Sequence, residues 1–129
     1  MPAINQNPAQ IRAAHALQSA KHLAGLKDDD ESNPTARFAS LVARSGLLPA
    51  LAFALETKEK NEPKRPAFAR IADELAKHLS VSPVNGNLTG TTVTGIGLFA
   101  NLVSKDSTHL RHSQTEALAF LSYLKRFNS

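Results

Sequence analysis

Apolar residues recur at helical spacing in several stretches of this chain, separated by polar, Gly-bearing and Pro-bearing segments. The last stretch, Asp106 to Phe127, reads DSTHLRHSQTEALAFLSYLKRF. At about 100° per residue, Leu110, Gln114, Ala117, Leu121 and Leu124 fall on one side, widened by Phe120 and Phe127. Arg111, Thr115, Ser122, Lys125 and Arg126 fall on the other. Ser107 or Thr108 suits the N-cap, and Lys125 and Arg126 complement the dipole of the last turn. Leu118 and Tyr123 lie outside the main arc, so the pattern predicts a second helix or a partner protein against that flank.

The rest of the chain follows in order. Residues 1–7 read as a lead-in, with Asn7 as N-cap and Pro8 as first residue of a helix to about Leu23. Its apolar positions are Ile11, Ala14, Leu17 and Ala20, with Arg12, His15, Lys21 and His22 pointing away or at the edges, and Gly25 ends it. Residues 27–33, KDDDESN, lack the alternating ligands and turn glycine of a calcium loop and read as a solvated junction. Asn33 and Pro34 restart a helix carrying Phe38, Leu41 and Val42, with Arg37 and Arg44 elsewhere. An elbow is expected at Gly46–Leu47, with Pro49 as first residue of the next helix, PALAFALETKEK. Residues 56–66 are charged, contain two prolines and predict a long, mobile linker. Pro66 opens a helix with Phe68, Ile71, Ala72, Leu75 and Leu79 inward and Arg70, Asp73, Glu74 and Lys77 outward, ending near His78–Ser80. Residues 80–94 hold the strand-favouring residues and an Asn85-Gly86 hairpin signal, but are short and polar, and read as an ordered loop. Leu98, Phe99, Leu102 and Val103 define a short apolar helix from Ile96 to Val103.

These elements predict an all-α fold, a compact bundle of five to six helices forming one domain over residues 1–129. The chain has no cysteine, which excludes disulfides and Cys-ligated metals. Fifteen Lys and Arg against eleven Asp and Glu give +4, a mild excess that permits nucleic-acid contact without demonstrating it. No apolar run approaches about 18 residues and the N-terminus lacks a signal-peptide pattern, so neither a membrane span nor secretion is expected.

Catalytic chemistry finds little support. His109 and His112 are three apart and can share a helix face, but no third ligand is suggested by spacing, so no metal is predicted. A small RNA-processing enzyme using His109 and His112 for proton transfer is one alternative reading. GNLTGTTVTGIG lacks the Lys-Ser/Thr ending and the strand–helix context of a phosphate loop. A non-catalytic binding module without a cofactor is the expectation, and an independent helical protein–protein adaptor is a second alternative.

The terminal motif goes further. Leu110-Arg111 followed by TEALAFLSYLKRF closely resembles the C-terminal signature of the small-subunit family of the Cmr complex, the type III-B CRISPR RNA-guided effector. GLLPALAF at Gly46–Phe53, followed by Lys58, is similar to a Gly-Leu element before a short lysine-ended helix in that family. The resemblance touches about half the chain. It implies a cytoplasmic, non-catalytic subunit of an antiviral complex that stacks with further copies of itself beside the other subunits. It also implies RNA binding, to guide or target strand, through basic residues aimed at phosphate, while base pairing with the guide supplies specificity. Arg37, Arg44, Lys58, Arg111, Lys125 and Arg126 are the candidate RNA contacts, and Leu118, Tyr123 and Phe127 the candidate subunit interface.

Overall fold

A computed structural model of the chain describes residues 7–25, 33–80 and 94–127. These form six α-helices: α1 (Pro8–Leu23), α2 (Pro34–Ser45), α3 (Leu47–Ala54), α4 (Pro66–Leu79), α5 (Gly95–Val103) and α6 (Ser107–Phe127). Among the described residues the sole β pairing is an isolated bridge between Thr57 and Pro63. The predicted all-α bundle is therefore the observed one. The expectations for residues 1–6, for most of the acidic junction and for 81–93 fall outside the described residues.

Three of the helix starts follow the sequence closely. Asn7 accepts from the Gln10 amide while the Gln10 side chain accepts from the Asn7 amide, a reciprocal capping box. Asn33 accepts from the amides of Thr35 and Ala36. Pro66 opens α4 as expected, since an N–H at that position would have had no intrahelical acceptor. At α6 the cap is Asp106, not Ser107 or Thr108. Its carboxylate accepts from the His109 amide at 2.8 Å, and an acid there also meets the positive end of the dipole.

The elbow lies where expected, but Pro49 does not open α3. Gly46, at φ +95°, both ends α2 and precedes α3, which begins at Leu47. The amides of a helix start lack intrahelical acceptors. Here the Gly46 amide donates to Val42 O, the Leu47 amide donates to Gln114 Oε1 of α6 at 2.9 Å, and Pro49 has none to satisfy. Proline is thus accommodated inside the first turn. The helix stops at Ala54, short of the predicted PALAFALETKEK. Residues 56–65 then fold into a closed loop rather than an extended linker. The Lys58 amide donates to Glu62 O, the Lys64 amide donates to Glu56 O, and Lys60 and Asn61 take positive φ at the tip. Arg65 pins the loop, donating to Phe53 O and Glu56 while its guanidinium lies 3.4 Å over the Phe53 ring.

Phe38 and Val42 from α2, Leu47 and Leu51 from α3, Phe68, Ile71, Leu75 and Leu79 from α4, Leu98 and Leu102 from α5, and Phe120, Leu121 and Leu124 from α6 fill the core. α6 packs on α1, α2, α3 and α4, and α5 lies against α3 and α4. At the start of α5, the Gly95 amide donates to Asp73 Oδ1, and a Cβ at Gly95 would stand 2.8 Å from the Ala72 Cβ.

Two predicted faces are corrected. α1 turns Ala16, Ser19 and Leu23 inward, whereas Leu17 is 49% exposed and Ala14 is exposed. Glu74, assigned to the solvent side of α4, is buried at 2% exposure. The reason is common to both: polar groups on α1 face acids on α4 and α6 and bind them there.

Candidate nucleic-acid interface

Arg37 and Arg44 are seven residues apart on α2 and share an edge of that helix. With Ser40, Leu41, Phe53 and Phe68 they line a groove of about 210 Å³. Its aromatic wall is set by packing. Phe68 meets Phe38 and Phe53 edge to face, with ring centroids 5.6 and 6.0 Å apart. The Arg37 guanidinium stands 5.2 Å from the Phe68 centroid, whereas Arg44 reaches solvent in the last turn. Lys58 is exposed on the closed loop beyond α3.

Arg111, Lys125 and Arg126 are exposed on α6. Arg111 lies one turn before Gln114, whose side chain holds the elbow, and Arg44 lies two residues before that elbow. Arg44 of α2 and Arg111 of α6 thus lie within a few residues of one contact between the two elements. Lys125 and Arg126 stand apart, roughly 20 Å along the helix from Arg111 at 1.5 Å per residue. The six candidates therefore form no single cluster. Leu118 and Tyr123 are half-buried and pack on the chain's own core, while Phe127 is 47% exposed. Ile96 and Val103, seven apart on α5, are 70% and 60% exposed, so Val103, one of the residues that define this apolar helix, faces away from the core.

A second feature escaped sequence reasoning. Arg12 Nε and Nη2 donate to the two oxygens of Glu116 at 2.6 and 2.7 Å. Because the carboxylate only accepts, His78 Nε2 donates to Glu116 at 2.8 Å, and His78 Nδ1 sits 2.7 Å from His15 Nδ1. His78 also stacks on Phe120, with centroids 4.4 Å apart. Glu74 accepts from Ser19, His22 and Lys77, and Arg70 Nε lies 3.5 Å away. Burial works to raise the pKa of both acids, but these hydrogen bonds and the neighbouring cations hold both below the ordinary carboxylate value. The Glu116 hydrogen bond pushes Arg12 up, against burial. Burial, then His78, push His15 down, and Glu116 opposes them. His15, Gln18, Ser19, His22, Glu74, Lys77 and His78 line a cleft of about 250 Å³. The seven-residue spacing of His15 and His22 was the available signal, but their partners lie 52 to 63 residues away.

Among the described residues no group of three or more His, Cys, Asp or Glu is placed to hold a metal ion. His109 and His112 do not form a pair: His109 Nε2 is buried without a hydrogen-bond partner among the described residues, and His112 is exposed. No helix among them is long and apolar enough to cross a membrane.

Residues 8–129 match the family described as CRISPR-associated protein (Cas_Cmr5). The chain belongs to this Cmr5 family. The match spans all six helices, including both segments that carry the sequence resemblance. No curated protein and no solved structure is significantly similar to the chain. Membership makes the chain a subunit of a CRISPR effector complex, a role that calls for contact surfaces rather than a catalytic centre.

Proposed function

We propose that this Cmr5-family chain is the non-catalytic small subunit of a cytoplasmic type III-B effector, stacking with copies of itself and holding the guide–target duplex or target strand. Family membership over residues 8–129 carries the reading. The exposed cations add support. Arg44, Lys58, Arg111, Lys125 and Arg126 all reach solvent, and Arg37 lines the groove beside Arg44. Dispersed cations suit an extended phosphate backbone whose sequence is read by pairing elsewhere.

An open stack uses two unlike faces. Phe127 at the end of α6, one turn beyond half-buried Tyr123, offers one, and Ile96 with Val103 on α5 offers another.

The test is charge reversal at Arg111 and Arg126, singly and together, in the reconstituted complex. Each lost phosphate contact should weaken target-RNA retention and reduce its salt dependence by about one counterion. Intact assembly with unchanged affinity and salt slope removes these two residues from the interface.

A further inference from the structure

We propose that His15 and His78 form a one-proton clasp between α1 and α4, and that a second proton opens it and releases α1.

The argument is a count of protons over fixed nitrogens. Glu116 is ionised between Arg12 and His78, so His78 Nε2 carries a proton. At 2.7 Å the two Nδ1 atoms share a single proton, one ring donating and the other accepting. That leaves His15 Nε2 as the remaining open position on the pair. Filling it gives a pair of charge +1 that keeps the Nδ1 to Nδ1 hydrogen bond, whichever ring holds the shared proton. A further proton puts an N–H on both Nδ1 atoms, and the hydrogen bond becomes a repulsive contact between two imidazolium rings.

The surroundings decide which partner yields. His78 is 2% exposed, stacked on Phe120 and held by Glu116. His15 is half-buried on α1 and lines the open cleft. α1 contributes few fully buried apolar side chains, Ala16 and Leu23, against seven from α4. α1 is therefore the element that moves. Around the pair, Arg12 and His22 come from α1, Glu74, Lys77 and Arg70 from α4, and Glu116 and Tyr123 from α6. Glu116 favours proton uptake by His15, while burial and His78 resist it more strongly. The Arg12–Glu116 and Ser19–Glu74 ties do not depend on the shared proton, so release begins at the His15 turn.

The experiment is hydrogen–deuterium exchange on the full chain at several values between about pH 5 and 7.5, corrected for intrinsic exchange. Amides of residues 11–23 should lose protection by about tenfold or more on acidification while those of α4 and α6 hold. His15→Gln, which keeps a donor and an acceptor but cannot titrate, should flatten that dependence. In the native chain, long-range imidazole NMR should show a strongly downfield shared proton that disappears as α1 opens. Loss of protection in α1, α4 and α6 together overturns the proposal. So does an unchanged pH dependence in His15→Gln, or independent titration of both rings without a shared proton.

Discussion

Arg12 of α1 grips Glu116 of α6 across 104 residues of sequence, with one guanidinium nitrogen on each carboxylate oxygen. The pair is unequally buried, at 26% and 8% exposure, and His78 uses the same carboxylate. Arg12→Leu leaves a buried acid with two fewer N–H donors and should destabilise the fold by roughly 3 kcal/mol. Arg12→Leu with Glu116→Leu should recover part of that loss, because no unpaired charge remains. A double-mutant cycle in urea unfolding checks it, and a coupling energy near zero contradicts a direct interaction.

Acid should weaken this fold progressively. Glu74 and Glu116 have folded pKa values below the ordinary 4.5, so their contribution is complete above that value and disappears as pH falls through the folded values. His15 is held below 6.5, so under that pH the unfolded chain binds more protons than the folded one. Both effects have the same sign. The melting temperature should fall as pH drops below about 6.5 and fall more steeply below about 4.5. Melting curves across that range should show a shallower acid limb for Glu116→Gln. A stability maximum on the acid side of that range contradicts the assignment.

Two glycines should resist substitution for different reasons. At Gly95 a methyl meets Ala72 Cβ at 2.8 Å and Leu55 Cδ2 at 3.0 Å, so Gly95→Ala should cost roughly 1–3 kcal/mol by forcing α5 from α4. At Gly46 there is more room, since the nearest atom is Gln114 Oε1 at 3.5 Å, but φ is +95°. Gly46→Ala should cost about 1–2 kcal/mol through backbone strain. Chemical denaturation measures both, and a variant as stable as the parent removes the corresponding constraint.

The sequence exposed the elements more fully than their surfaces. Asn7, Asn33, Pro34, Gly46 and Pro66 act through local geometry, which neighbouring residues suffice to determine. α4 was legible throughout its apolar stripe because Phe68, Ile71, Leu75 and Leu79 repeat at helical spacing. α1 departs from its apolar pattern because half its inward face is polar. Arg12, His15 and Ser19 look like solvent positions until Glu74, His78 and Glu116 arrive from distant elements. The exposure of Ile96 and Val103 was hidden for the opposite reason: α5 is apolar nearly all round, so its pattern does not mark a buried side. Among the RNA candidates, Arg44, Lys58, Arg111, Lys125 and Arg126 are exposed as the sequence pattern suggests, whereas Arg37 is half-buried over Phe68, a ring brought there by α4 from distant sequence.

If the α5 face is one end of a stack, Val103→Glu or Ile96→Glu should leave the monomer folded, because both side chains are largely exposed. Incorporation of additional copies into the reconstituted complex should fall several-fold, since a charge would be buried against an apolar neighbour. Native mass spectrometry counts the copies. Unchanged stoichiometry for both variants places the contact elsewhere.

Purification of the tagged chain from its native host, under conditions that preserve ribonucleoproteins, tests the central claim most directly. Mass spectrometry and sequencing of bound RNA should recover the other effector subunits and a guide-bearing RNA. Stable recovery with unrelated proteins and no guide RNA would contradict the small-subunit role.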